Sequence, residues 1–519
     1  MNSGIAGGVI FVLLVGYFVF RRRSIITNIV GPPCGSWLFG HTRELLISPA
    51  YGEQEFKWLK MYGPVYRLNG CFGQNRLMVS DPQAFQYILN SPHFALSPTL
   101  QNMAALVFGE GNLLGIRGKT HKRLRNEFNT AFTPATVRSS IPIFEKVAQG
   151  IALQLEASDT PSVNVMPLLC TAALAAIAEA ALSYSMDQLG DKYVAANVQI
   201  MAAASSQSAG QILADAVGAY LPPWMLRAAT HLPTQTFKAV RQANHLAKRL
   251  GERVVREKQD LAQRGLDINS DLFGVLLDPD RSDTTRNPLS GPEIVAQTQI
   301  IMVAGQETTA TTTSLALWEL AKNPKLQDML RTEIHSTLGQ GETGSIGYDR
   351  MPFLNALIKE TLRFYPAEPL TERMAVQDTV LPLSERITTS TGEQISQIPL
   401  SKGQVVVVAM AAYQRLESRW GRDANEFRPS RWLDGTVAKG EAVGPYANLL
   451  TFLGGPHTCL GWRFAILEMQ VILCELVGKF AFAPPEDDIE PVRVRLANTL
   501  QPTMADGQKG VPLRVTRIV

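Results

Sequence analysis

Residues 62–81 (YGPVYRLNGCFGQNRLMVSD) carry β-branched and aromatic residues broken by turn formers, the pattern of a small hairpin sheet. Beyond Asp81 the dominant apolar period becomes helical. Asp81-Pro82 reads as a helix start, with Ala84, Phe85, Ile88 and Leu89 recurring on one face. Ser290-Gly291-Pro292-Glu293 has capping-box spacing. No proline follows until Pro324, so one helix of roughly 30 residues, about 50 Å long, is predicted there. Strand character returns at residues 404–408. The pattern predicts a mainly α chain with a minor β region.

The N-terminus departs from this pattern. Residues 4–20 (GIAGGVIFVLLVGYFVF) form an uncharged apolar run, followed at once by Arg21-Arg22-Arg23. Its length is near the lower limit of about 17 residues for crossing a bilayer core. A cleaved signal peptide is the competing reading, and it fits poorly because the charges follow the apolar run and no small-residue cleavage site is evident. One N-terminal transmembrane helix is therefore expected in residues 1–23, with the arginines on the cytosolic side. Residues 24–36, which include Gly31-Pro32-Pro33-Cys34-Gly35, are expected to form a stiff hinge. Residues 37–519 would be the catalytic domain.

Composition narrows the class. The chain has 519 residues, 45% of them hydrophobic and 18% charged, which suits a large buried core. A net charge of +3, with basic residues spread along the chain, argues against nucleic-acid binding. Five cysteines, at 34, 71, 170, 459 and 474, do not read as a disulfide framework, so a reducing compartment is expected.

The chemistry concentrates in Phe452-Leu453-Gly454-Gly455-Pro456-His457-Thr458-Cys459-Leu460-Gly461, a Gly-rich loop ahead of an apolar helical pattern. A thiolate at Cys459 would sit near a helix N-terminus, which stabilises an anion. Gly454, Gly455 and Gly461 would let backbone approach something flat and large. A structural cysteine in a turn is the other reading of this loop. Three further motifs precede it in order: Ala304-Gly305-Gln306-Glu307-Thr308-Thr309, Glu360-Thr361-Leu362-Arg363, and Phe427-Arg428-Pro429-Ser430-Arg431-Trp432. Each alone is weak; the ordered set is specific. It resembles the cytochrome P450 family across essentially the whole chain, and the style of the cysteine loop is similar to fungal microsomal members.

That resemblance implies a P450 fold and a haem b cofactor with Cys459 as the axial thiolate on iron. It implies that Phe452 shields the sulfur, with Gly461 in the same loop, and that His121, Arg125, Arg373 and His457 meet the propionates. Most relatives have arginine where this chain has His457, and a propionate facing it would raise the imidazole pKa. Ala304 and Gly305 would leave room beside their helix, where Thr308, bonding back one turn, distorts it. Thr308 and Glu307 would be the catalytic pair that delivers protons. Glu360, Arg363 and Arg431 would form a buried structural network. Lys122, Arg123 and Arg463 are candidates for the face that meets an electron donor.

The resemblance further implies a monooxygenase acting on a lipophilic small molecule, with terpenoids, sterols and other fungal secondary metabolites as the candidate classes. NADPH would supply electrons through a separate cytochrome P450 reductase, with cytochrome b5 as a second candidate donor. The protein would be a single-pass protein of the endoplasmic reticulum membrane. Two other readings remain: a haem-thiolate isomerase or dehydratase that needs no O2, and a non-catalytic haem or lipid binder.

Overall fold

In the computed structural model, the structure describes residues 25–518 apart from 161, 206, 270, 279–288, 340–344, 438–441 and 487–491. The apolar run 4–20 lies outside the described residues. Among those described, one helix is long and apolar enough to cross a membrane, Val165–Leu182, with a mean hydropathy of 2.0. It is mostly buried inside the domain, so packing accounts for its composition.

The principal sheet has five strands: β1 (Val65–Asn69), β2 (Asn75–Val79), β3 (Phe94–Leu96), β4 (Leu370–Ala375) and β5 (Val405–Ala409), in the order β1-β2-β5-β4-β3. The β1–β2 hairpin predicted from the turn residues is antiparallel, pairing Val65 with Val79 and Asn69 with Asn75. β5 is buried along its whole length, in keeping with its central place and its unbroken run of valines. It runs parallel to β2 and antiparallel to β4. Ile26 and Ile29 are buried in the main core, and the Arg67 amide donates to the Val30 carbonyl at 2.9 Å. The described part of the expected hinge is thus docked against β1.

Eight helices frame the site: α1 (Pro82–Asn90), α2 (Gly118–Ala131), α3 (Ile141–Glu156), α4 (Val165–Leu182), α5 (Gln235–Gln263), α6 (Thr298–Lys322), α7 (Pro352–Phe364) and α8 (Trp462–Lys479). α1 starts where predicted: the Asp81 carboxylate caps the Ala84 amide at 2.8 Å, and Ala84, Phe85, Ile88 and Leu89 are its buried face. α6 runs through the core against α4 and α8, and α3 packs on both of those.

The single long helix expected from Ser290 is divided. The capping box forms as predicted, opening a short helix, Gly291–Val295, but the chain turns at Ala296-Gln297 before α6 begins. Buried Gln297 accounts for the turn. Its side-chain oxygen accepts from the Leu113 amide at 2.7 Å, and its nitrogen donates to the Gly111 carbonyl at 2.9 Å. These long-range bonds fix the residue at the junction.

Candidate active site

Cys459 lies just ahead of α8. Its amide donates to the Phe452 carbonyl at 2.8 Å, closing the loop, and Phe452 itself is buried. The Thr458 hydroxyl donates to the Gly455 carbonyl at 2.7 Å. Two of the glycines have a packing role in the polypeptide itself. A Cβ on Gly454 would lie 2.3 Å from the Val443 carbonyl oxygen, and one on Gly455, whose φ is +67°, would lie 2.3 Å from that of Leu89. They let the loop press against neighbouring backbone, including the end of α1. Gly461 is different: its Cβ would meet only the Phe132 ring, at 3.9 Å.

The Cys459 side chain is solvent-accessible although protein surrounds it closely, as for a group opening on an internal hollow. Burial pushes its thiol pKa up to about 11, and the Gly461 amide and Arg125 oppose this only in part. The expected helix-terminus stabilisation is therefore outweighed, and the isolated thiol stays protonated at neutral pH. A coordinated metal would deprotonate it. Among the described residues no group of three or more His, Cys, Asp or Glu could hold a metal ion.

The cations predicted for the propionates do converge. His121 and Arg125 are one turn apart on α2, and the His121 and His457 rings lie against each other with centroids 4.1 Å apart and planes tilted by 31°. Arg373, on β4, is buried. Burial lowers its pKa to about 10, and burial also lowers those of His121 and Arg125. His457 departs from expectation: burial, then His121, Arg373, Arg125 and Arg117, push its pKa down to about 3. In the polypeptide alone it is neutral, and the anticipated upward shift requires an anion among these cations. Arg117, at the N-cap of α2, belongs to the cluster and was not foreseen. Its spacing four residues before His121 was the available signal. Three arginines and two N–H-bearing imidazoles gathered near an accessible cysteine can receive a planar macrocycle that carries two carboxylates, so the residues fit haem.

α6 supplies a second wall. It is buried almost all round, but Ile301, Ala304, Gly305 and Thr308 retain accessibility at a helical i, i+3, i+4, i+7 spacing. The Thr308 hydroxyl donates to the Ala304 carbonyl at 3.0 Å, the predicted back-bond. Gly305 also has a packing role: a Cβ there would lie 2.8 Å from Cγ1 of Ile177 on α4. Glu307 is buried off this stripe. Its carboxylate is paired with Lys509 and accepts from the Gln501 amide at 3.2 Å. Thr312 and Thr313 bond back to the carbonyls of Thr308 and Thr309, as in a polar stripe within a buried helix.

Glu360, Arg363 and Arg431 form the predicted network in full burial. Glu360 accepts from Arg363 Nε and Nη2 at 2.8 Å, Arg431 Nε at 2.9 Å, the Arg428 amide at 2.8 Å and Trp432 Nε1 at 3.0 Å. Gln414 carries the network onward. Its amide nitrogen donates to the Arg363 carbonyl at 2.9 Å, and its oxygen accepts from the Leu450 amide at 2.9 Å. Leu450 is in the segment that leads into the cysteine loop.

The three surface cations are not equivalent. Lys122 is exposed, Arg123 is paired with Glu293, and the Arg463 guanidinium lies 4.0 Å from the centroid of the Trp462 ring. A cavity of about 200 Å³ between the sheet and the helix Ala209–Gly218, lined by Arg76, Glu372, Ser97 and Tyr220 among others, shares no residue with the Cys459 cluster.

A family model described as Cytochrome P450 matches residues 30–504. Among curated proteins, the chain is 31% identical to cytochrome P450 monooxygenase claO of Ampulloclitocybe clavipes, over 98% of this chain and 97% of that one. It is 29% identical to cytochrome P450 monooxygenase 91 of Postia placenta, over 98% of each. It is 30% identical to claP of A. clavipes, over 97% of this chain and 95% of the relative.

Proposed function

The chain belongs to the cytochrome P450 family and is a monooxygenase of that family, and from that premise we propose that it inserts one oxygen atom of O2 into a lipophilic small molecule, using NADPH electrons passed on by a separate reductase. The observation that carries the reading is the accessible but enclosed Cys459 thiol beside three arginines, Arg117, Arg125 and Arg373, and two histidines, His121 and His457. Haem b held there would supply the iron at which O2 is bound and its O–O bond cleaved.

The chain's own residues have separable tasks. Cys459 would hold the iron, Arg117, Arg125, Arg373 and the two histidines would hold the propionates, and Phe452 would cover the sulfur. Ala304 leaves space on the accessible face of α6. Thr308 holds a proton at its Oγ1 beside that space, and Glu307, anchored by Lys509, replenishes it. Ile301 and Ala367 contribute apolar wall that excludes water.

Terpenoids, sterols and other fungal secondary metabolites are the candidate substrate classes, as the resemblance to fungal members implies. Residues 4–20 would anchor the protein in the endoplasmic reticulum membrane, leaving the catalytic domain in the cytosol with the reductase and cytochrome b5. Exposed Tyr220, Trp224 and Leu232 provide further apolar surface. The test is turnover of a terpenoid and sterol panel by membranes containing the protein and a reductase, under isotopically labelled O2. Labelled product with matching NADPH use is expected. Product formed without O2 or NADPH would identify an isomerase or dehydratase, and ligand binding without any turnover a carrier.

A further inference from the structure

Backbone strain gathers just ahead of Cys459. Of the five non-glycine residues with positive φ among those described, three are Ala447 at +52°, Asn448 at +58° and Leu453 at +56°. Ala447 and Asn448 are the central pair of a turn closed by the Leu449 amide, which donates to the Tyr446 carbonyl at 2.9 Å. Positive φ at both central positions makes it a mirror-image β-turn, a type that glycine, asparagine and aspartate favour. Asn448 suits that turn. Ala447 does not, because its Cβ crowds the backbone in the left-handed region. Such strain persists only where the surroundings impose it.

Two adjacent residues impose it. Tyr413, fully buried at the end of the short helix Met410–Tyr413, donates its hydroxyl to the Asn448 carbonyl at 3.0 Å. Its ring packs edge-on against Phe85 and Trp420, with centroids 5.6 and 6.3 Å away, which fixes where the hydroxyl points. Gln414 then takes the Leu450 amide at 2.9 Å. The turn is thus pinned at its tip and just beyond it. On its other side the Tyr446 ring lies 6.4 Å from the Phe452 ring and 6.0 Å from the Trp462 ring. The Phe452 carbonyl in turn holds the Cys459 amide at 2.8 Å. A continuous set of contacts runs from the Tyr413 hydroxyl, through the turn and the Tyr446 ring, to the cysteine backbone.

We propose that Tyr413 is a positioning residue for Cys459: its hydroxyl latches the strained turn at Ala447-Asn448, and the turn holds Tyr446 against Phe452, which fixes the cysteine amide. This rests on the reading of Cys459 as the haem ligand. Without the latch, Ala447 relaxes toward negative φ and carries the Tyr446 ring away from Phe452 and Trp462. The cysteine loop then loosens and admits water to the sulfur. A hydrogen bond from water draws electron density from the thiolate, weakens its donation to iron and raises the reduction potential.

The test compares haem-loaded wild type, Tyr413→Phe, Ala447→Gly, Ala447→Val and the double variant Tyr413→Phe/Ala447→Gly. The readouts are the decay rate of the thiolate-type carbon-monoxide band, the reduction potential and the calorimetric Tm. Tyr413→Phe keeps the ring and loses only the hydroxyl. Its band should decay roughly five- to tenfold faster, the scale of one lost hydrogen bond, and its potential should rise. Ala447→Gly should match wild type. Glycine adopts positive φ without steric cost, so the double variant should recover most of the lost band stability. Ala447→Val leaves Tyr413 intact but is bulkier at positive φ, and should reproduce the Tyr413→Phe defect. It carries the test if Tyr413→Phe does not fold. The assignment is overturned by a Tyr413→Phe protein whose decay rate and potential equal those of wild type, even with a lower Tm. A double variant as defective as Tyr413→Phe, or an Ala447→Val protein that behaves as wild type, overturns it equally. Absence of the thiolate-type band in wild type would instead defeat the haem assignment beneath it.

Discussion

Replacing Glu360 by Gln removes the one charge that, among the described residues, both Arg363 and Arg431 share at hydrogen-bond distance. Five N–H groups converge on this one carboxylate, and they hold its pKa below the usual range even though burial acts to raise it. The amide keeps the shape but turns one acceptor into a donor facing donors. Arg431 retains Asp423, while Arg363 retains only backbone carbonyls. Breaking a buried pair costs about 3–5 kcal/mol because a desolvated charge is left behind. A domain of this size has an unfolding entropy near 1 kcal/mol/K, at about 2.1 cal/mol/K per residue, so the expected fall in apparent Tm is about 3–5 °C. The damage should travel through Gln414 to Leu450 and appear as faster haem loss. The assays are differential scanning calorimetry and the decay of the carbon-monoxide spectrum. Asp423→Asn, which touches a partly exposed partner, should shift both much less. A Glu360→Gln protein that melts within 1 °C of wild type and retains haem equally well would refute the reasoning.

Thr308→Ala should keep the carbon-monoxide band and substrate binding but release hydrogen peroxide, with product per NADPH lower by roughly tenfold or more; product and NADPH use that stay matched would remove Thr308 from proton delivery. Glu55 is buried, accepts from the Ala412 amide at 3.1 Å, and has its pKa pushed up by burial to about 8. Between its ordinary value near 4.5 and about 8 the unfolded chain releases a proton that the native state keeps, so this group lowers stability by about 1.4 kcal/mol per pH unit as pH rises. Glu55→Gln should abolish that slope, making the variant progressively more stable than wild type from pH 5 to 8, and parallel melting profiles would count against the burial of this acid.

What was legible in the sequence was chiefly local. α1 could be read because its cap, its proline and its buried face fall within ten residues. The β1–β2 hairpin could be read from its turn residues, but not that β2 then pairs in parallel with β5, since that contact joins distant segments. α4 passes a hydropathy test for a membrane span, and only its packing against α3 and α6 identifies it as core. The break at Gln297 depends on bonds to Gly111 and Leu113, which no local pattern encodes. At the site, Cys459, Thr308 and the Glu360 network sit in motifs and were named from them. Arg117 was missed because its role arises where separate elements converge. The surroundings of His457 could not be read either: they are set by the neighbouring arginines on α2 and β4 as much as by its own loop.

The claim on which the rest depends is that Cys459 binds haem iron as a thiolate. The most direct measurement is the difference spectrum of the reduced, carbon-monoxide-bound protein for wild type and Cys459→Ala, with Cys34, Cys71, Cys170 and Cys474 replaced singly as controls. The account predicts the red-shifted Soret band of a thiolate ligand in wild type and in all four controls, and its loss in Cys459→Ala alone. Persistence of that band in Cys459→Ala would contradict it.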